Sequence, residues 1–244
     1  LPTMKKILSL IFVLTVCSLS AQNNFTRQDT LRGSITPERA WWDLTYYHLD
    51  IKVNPDEKYI SGKNMIYYKV LENDSVMQID LQPPLKLTKA IQNGKGLEIK
   101  HEGNAHFISL SEEQSINSLN NITVYYEGKP KEAIRAPWDG GISWKKDNNG
   151  NHFIASSCQG LGASVWWPNK DHMYDEVDSM LISVNVPDKL MNISNGRLRK
   201  IEQINEAVLI KRNKLVDLYK QHQAGKTLSK KNTQWLNQQA HDYE

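Results

Sequence analysis

Tyr47-His48-Leu49-Asp50-Ile51-Lys52-Val53 is the stretch from which the fold class is read. Tyr47, Leu49, Ile51 and Val53 are apolar or aromatic, and His48, Asp50 and Lys52 alternate with them. A repeat of two residues places one set on a buried face and the other on a solvated face, which predicts a β-strand. Asn54-Pro55-Asp56 then forms a turn, and Tyr59 to Val70 predicts a second strand, with Ile66, Tyr68 and Val70 on one side and Met65, Tyr67 and Lys69 on the other. Strand-like runs continue at Val76–Leu81, Leu85–Ile91, Leu97–Lys100, His106–Leu110, Asn121–Tyr126 and Met180–Val186. Short strands punctuated by Asn-Gly, Pro-Pro and Glu-Gly predict a mainly β domain, an antiparallel, saddle-like β-sandwich over residues 41–199.

The flanks read differently. Met4-Lys5-Lys6, an apolar run from Ile7 to Leu19, and small residues up to Ala21 have the form of a secretory signal peptide over residues 1–21, with Leu1-Pro2-Thr3 as an upstream remnant. The apolar run falls short of the ~20 residues of a membrane span. The expectation is therefore an exported chain, periplasmic or extracellular, with no membrane span. Residues 22–40 are polar and are expected to be extended. Beyond Arg199, Ile201, Ile204, Val208, Leu215 and Leu218 recur at helical spacing. Gly225 reads as a helix stop, and Thr227 or Ser229 as the cap of a second helix carrying Trp235, Leu236 and Ala240. Residues 200–244 are thus expected to form a C-terminal α-helical hairpin.

Composition narrows the chemistry. The 244 residues carry a formal net charge of +3, with 30 Lys and Arg spread along the chain, so no nucleic-acid partner is expected. With Cys17 inside the leader, Cys158 is the remaining cysteine. It can form neither an intramolecular disulfide nor a thiolate zinc site by itself. It is expected to be a small buried hydrophobe rather than a nucleophile.

His101-Glu102-Gly103-Asn104-Ala105-His106 is the one stretch that suggests a metal-binding helix. A helical zinc site needs H-E-x-x-H, which places two imidazoles one turn apart on a single face. Here the spacing is one residue too long, leaving the rings ~140° apart at ~100° per residue. Gly103 and Asn104 favour a turn, so the two histidines are expected to flank a surface hairpin, where their rings could approach each other. No G-x-S-x-G elbow and no phosphate-binding Gly-rich loop with its Lys-Ser/Thr occurs. No catalytic residue, metal ligand or cofactor is assigned to this chain.

Three stretches together resemble a known family. Arg39-Ala40-Trp41-Trp42-Asp43-Leu44-Thr45-Tyr46-Tyr47-His48-Leu49-Asp50-Ile51, followed by Ile60-Ser61-Gly62, is similar to the opening strand pair of zinc aminopeptidases of the aminopeptidase-N and leukotriene-A4-hydrolase type. Gly140-Gly141-Ile142-Ser143-Trp144 is similar to a loop of their N-terminal domain. Ser156-Ser157-Cys158-Gln159-Gly160-Leu161-Gly162-Ala163-Ser164-Val165-Trp166-Trp167-Pro168-Asn169-Lys170-Asp171, continuing to Val184-Asn185-Val186-Pro187, resembles the loop that recognises the substrate's α-amine. The resemblance covers residues 25–199.

It implies an accessory N-terminal domain that covers the active-site cleft and meets the peptide N-terminus through a catalytic domain, with zinc bound in the complete enzyme. The family's H-E-x-x-H and G-x-M-E-N motifs do not occur in this sequence, so the chain alone is expected to be inactive, a part truncated before the catalytic half. Gln159 matches the second member of the family's Gln-x-Glu or Gln-x-Gln pair, and Ser157 stands in place of the first. Gln159, Ser157 and Gly160 are the substrate-binding candidates. A neutral Gln carbonyl holds an ammonium less strongly than a carboxylate does. Trp166-Trp167-Pro168 is expected to fill a core edge. The alternative reading is an exported β-sandwich binding module with the helical tail as its docking element.

Overall fold

A computed structural model describes residues 25–204, together with 214, 218, 221 and 227–234. The chain divides into two units, Leu1–Asn192 and Ile193–Glu244. In the first, two short helices, α1 (Arg27–Gly33) and α2 (Pro37–Ala40), precede ten strands. These are β1 (Trp42–Asn54), β2 (Tyr59–Val70), β3 (Asp74–Asp80), β4 (Lys86–Gln92), β5 (Lys95–Glu102), β6 (Ala105–Gln114), β7 (Leu119–Gly128), β8 (Gly141–Lys146), β9 (His152–Ser157) and β10 (Ser179–Asn185).

Eight strands form one sheet in the order β10-β1-β2-β7-β4-β5-β6-β3, and β8 and β9 form a separate antiparallel hairpin. The fold is mainly β and antiparallel-rich, as the alternation predicts. The β1–β10 pair is parallel. Strand alternation dictates which side chains share a face but not which distant strand pairs with which, so this pairing could not be read from period alone.

The core follows from β1. Trp42, Leu44, Tyr47, Leu49 and Ile51 are buried, and the change from even to odd numbers coincides with a register shift between Leu44 and Tyr46. Thr45 is the extra residue of a β-bulge, which switches the following side chains to the other parity. Ile66, Tyr68 and Val70 meet them from β2, and Met77, Ile79, Ile108, Ile122 and Val124 complete the cluster. Trp41 and Trp42 pack edge-on against Tyr68 at 5.7 and 5.9 Å. Their indole N–H groups donate to the carbonyls of Val76 and Glu38 at 2.7 and 3.0 Å, so two large rings are buried with their polar atoms satisfied. At Gly62 a Cβ would lie 2.3 Å from the Asp50 carbonyl, so only glycine permits the observed approach of β2 to β1.

The lead-in differs from its expected extended form. Thr26 caps α1 through its hydroxyl and Asp29 reaches back to the Thr26 N–H, a reciprocal box that offsets the unpaired donors of a helix start. Pro37 opens α2, where its missing N–H costs nothing. Residues 140–144, expected as a loop, lie largely in β8, paired across the hairpin with β9.

The signal-peptide expectation falls outside the described residues, as does most of the expected C-terminal helical hairpin. Within 200–244, residues 201–204 are not helical, whereas 214, 218, 221 and 230–234 are. Among the described residues no helix is long and apolar enough to cross a membrane.

Candidate functional site

The loop from Ser157 to Asp171 leaves the β8–β9 hairpin and is fixed from beneath. Leu161 and Gly162 both donate their N–H groups to the Cys158 carbonyl, at 3.1 and 2.9 Å, which closes a tight turn around Gln159 and Gly160. Gly160 and Gly162 have φ of 70° and 81°, backbone that favours glycine. A short 3₁₀ turn, Ala163–Val165, follows and carries the buried Ser164.

Gln82, just past β3, grips this loop at three points. Its amide nitrogen donates to the Leu161 carbonyl at 2.5 Å and to Ser164 Oγ at 2.9 Å, and its backbone N–H donates to the Ser164 carbonyl at 2.9 Å. Ser164 Oγ in turn donates to Asp171 Oδ2 at 2.5 Å, and the Asp171 N–H donates to Asp80 Oδ2 at 3.1 Å. Asp80 also receives Arg39 Nη2 at 2.6 Å and Gln78 Nε2 at 2.9 Å. Its backbone pairs in both directions with Asn169. Burial pushes the Asp80 carboxyl above its ordinary range, while Arg39 and the Gln78 and Asp171 donors pull it back. A chain of buried polar contacts thus runs from α2 through β3 to the loop.

Farther along the loop, Lys170 is buried with its ammonium 2.6 Å from the Trp42 carbonyl and paired with Asp175. It lies 4.0 Å from the Trp42 ring centroid and 4.7 Å from that of Tyr174. Burial lowers its pKa, and Asp175 opposes the shift. Trp167 packs edge-on against Tyr47 at 5.1 Å and is nearly buried, so the paired tryptophans fill a core edge as expected.

Gln159 and Gly160 stand exposed at the tip of this anchored loop. Ser157 is half-buried, and its hydroxyl donates to the Pro137 carbonyl at 2.8 Å, tying the end of β9 to the segment before β8. The Gly160 carbonyl accepts from Arg32 of α1. Gln159 and Gly160 therefore share one turn, with Gln159 exposed, and Ser157 ends the strand that leads into it. Cys158 departs from expectation: it is exposed, because the turn folds back through its carbonyl and leaves its residue at the surface. Partial burial of the thiol raises it above its usual range, which disfavours the nucleophilic thiolate.

Sequence reasoning missed Arg39, Asp80 and Gln82 as supports of the loop. No motif marks them, because Arg39 comes from α2, and Asp80 and Gln82 come from the end of β3 and the residues just past it, far in sequence from the loop they hold. Among the described residues no group of three or more His, Cys, Asp and Glu side chains converges to hold a metal ion, so these residues do not fit a zinc centre of the three-ligand kind. His101 and His106 do come together, as partners across the β5–β6 hairpin.

Among solved structures the chain is similar to an M1 zinc metallopeptidase from Deinococcus radiodurans, at a TM-score of 0.55 and 19% identity over 68% of this chain. It is similar to a two-domain M1 zinc metallopeptidase mutant bound to L-arginine, at a TM-score of 0.56 and 20% identity. The yeast leukotriene-A4 hydrolase in complex with bestatin follows, at 0.50 and 14% over 68% of this chain. The match spans 37% of each of the first two proteins and 26% of the yeast enzyme. No family model and no curated protein matches the chain. The β domain therefore has the fold of part of the M1 zinc metallopeptidases.

Proposed function

We propose that the β domain is the N-terminal, cleft-covering part of an exported zinc aminopeptidase, and that Gln159 receives the α-ammonium of the peptide on its side-chain oxygen. The observation that carries this reading is the exposed Gln159 on a turn whose base is held by Gln82, Ser164, Asp171 and Asp80. A side chain that measures a peptide from its N-terminus must be accessible at its tip and fixed at its root, since a loosely held group loses the benefit of orientation. Zinc and the hydrolytic step belong, in this reading, to a second domain. The exposed Ile134, Trp138 and Phe153, on the β8–β9 hairpin and the segment leading into it, supply apolar surface for such a domain to cover.

The test has two arms. The purified chain is assayed on an aminoacyl chromogenic substrate with zinc and with a chelator, and no chelator-sensitive turnover is expected. Fused ahead of an M1 catalytic domain deprived of its own N-terminal domain, it restores turnover, and Gln159→Ala raises KM for substrates with a free amine. Turnover by the chain alone overturns the accessory role, and an unchanged KM overturns the role of Gln159.

A further inference from the structure

The β5–β6 hairpin places two imidazoles head to head. His101 and His106 are directly opposed in register, with Nδ1 atoms 2.7 Å apart and ring centroids 4.9 Å apart. His106 is buried, and its Nε2 lies 3.0 Å from the Leu81 carbonyl. A carbonyl only accepts, so His106 carries its proton on Nε2 and presents a lone pair at Nδ1. His101 then donates its Nδ1–H to that lone pair. A ligating histidine is normally set up in this way, with one nitrogen held by a backbone carbonyl and the other left to bind.

The surroundings are anchored too. The Leu81 N–H donates to the Asn104 carbonyl at 2.9 Å, Gln28 of α1 bonds the turn at Glu102 and Asn104, and Arg27 pairs with Glu102. One ring is therefore fixed, and its partner is exposed and free of the core.

We infer that His101 and His106 form a cross-strand two-imidazole site for a late first-row divalent metal ion, Cu(II) above Zn(II), with solvent completing the coordination. The Nδ1 atoms, 2.7 Å apart, share a hydrogen bond, and a tilt of the exposed His101 ring brings both within reach of one ion at metal–nitrogen distances of about 2.0 Å. Cu(II) ranks above Zn(II) because it stands higher in the affinity order for nitrogen ligands. On binding, His106 keeps its proton on Nε2 and its Nδ1 lone pair goes to the metal. The His101 ring tilts outward, its proton passes through solvent from Nδ1 to Nε2, and the freed Nδ1 lone pair makes the second bond. No redox change and no net proton release accompany the step from the neutral pair. The site is independent of the aminopeptidase reading.

The experiment is a titration of the purified chain with Cu(II), and in parallel with Zn(II), followed by calorimetry and by electron paramagnetic resonance. One equivalent of Cu(II) is expected at micromolar affinity, with hyperfine structure from two nitrogens and weaker binding of Zn(II). His101→Gln, at an exposed position that leaves the Leu81 bond intact, is expected to weaken Cu(II) at least tenfold and to remove one nitrogen from the spectrum. Circular dichroism of the variant verifies that it folds. Absence of a one-equivalent site, or an unchanged affinity and spectrum in His101→Gln, overturns the assignment.

Discussion

Arg39 Nη2 lies 2.6 Å from Asp80 Oδ2, and both side chains are almost wholly removed from solvent. The pair joins a four-residue helix to the end of β3. The other donors on Asp80 carry that connection to Asp171, and so to the turn bearing Gln159. Arg39 also donates to the Ser34 carbonyl at 2.9 Å, which fixes the bend between the two helices. Two desolvated charges of this kind stabilise the fold only while both are present.

Removing one partner is therefore expected to cost more than removing both. Arg39→Met leaves the Asp80 carboxylate buried without its cation and should lower stability by about 3–5 kcal/mol. Combining it with Asp80→Leu should recover much of that loss, because the uncompensated charge is gone. Urea unfolding of the two single variants, the double variant and the parent chain measures the coupling. Additive losses would mean that the two groups act independently.

Gly160 and Gly162 separate backbone strain from crowding within one turn. Both have positive φ, but a Cβ on Gly160 meets open space, whereas one on Gly162 would lie 2.2 Å from Asp171 Oδ2. Gly160→Ala should cost about 1–2 kcal/mol, the left-handed penalty alone. Gly162→Ala must also displace the carboxylate that holds Ser164, and should be the more damaging of the two. Thermal and urea melts of the pair check the order. Equal losses would show that Asp171 gives way at no cost.

How far the sequence could be read follows from what each feature depends on. Alternation at Tyr47, Leu49 and Ile51 is a local property, so β1 was legible, and so were β2 and the short strands after it. The bulge at Thr45 was not legible, because a single extra residue matters only against a partner strand. The Thr26 and Asp29 box was present in the letters, but polar composition around it pointed to extended chain. Gln159 was reached through the order of neighbouring motifs. The supports of its turn depend on contacts between residues 39, 80, 82, 164 and 171, which no sequence period brings together. The His101–His106 approach was legible because a Gly103-Asn104 turn makes the two residues cross-strand neighbours.

Burial lowers the His106 pKa from 6.5 to about 4, with the Leu81 carbonyl opposing the shift and His101 adding to it. The folded chain thus excludes a proton that the unfolded chain takes up below its own higher pKa. The resulting stability is complete above the unfolded value and is lost as pH falls toward about 4. Between pH 7 and pH 5 this group alone should account for a loss of about 2 kcal/mol. The difference between the parent chain and His106→Gln, from urea melts across that interval, isolates it from the carboxylates and other histidines. A pH-independent difference would mean that the folded chain takes up this proton as readily as the unfolded chain, and a difference of opposite sign that His106 is protonated in the fold.

Gln159→Glu tests whether the turn faces a cation. In the fusion with an M1 catalytic domain, the substitution keeps the length and the acceptor of the side chain and adds a negative charge at an exposed position. An ionised acceptor on an ammonium is stronger than a neutral one by about 1 kcal/mol, roughly fivefold in affinity. KM for an aminoacyl substrate should fall by about that factor near neutral pH. The advantage should shrink as pH drops toward the ordinary glutamate range near 4.3 and the carboxylate is neutralised. An N-acetylated analogue of the same substrate, which has no cation to meet, should bind no better to the Glu variant. If both compounds gained equally, the carboxylate would be acting on something other than the amine.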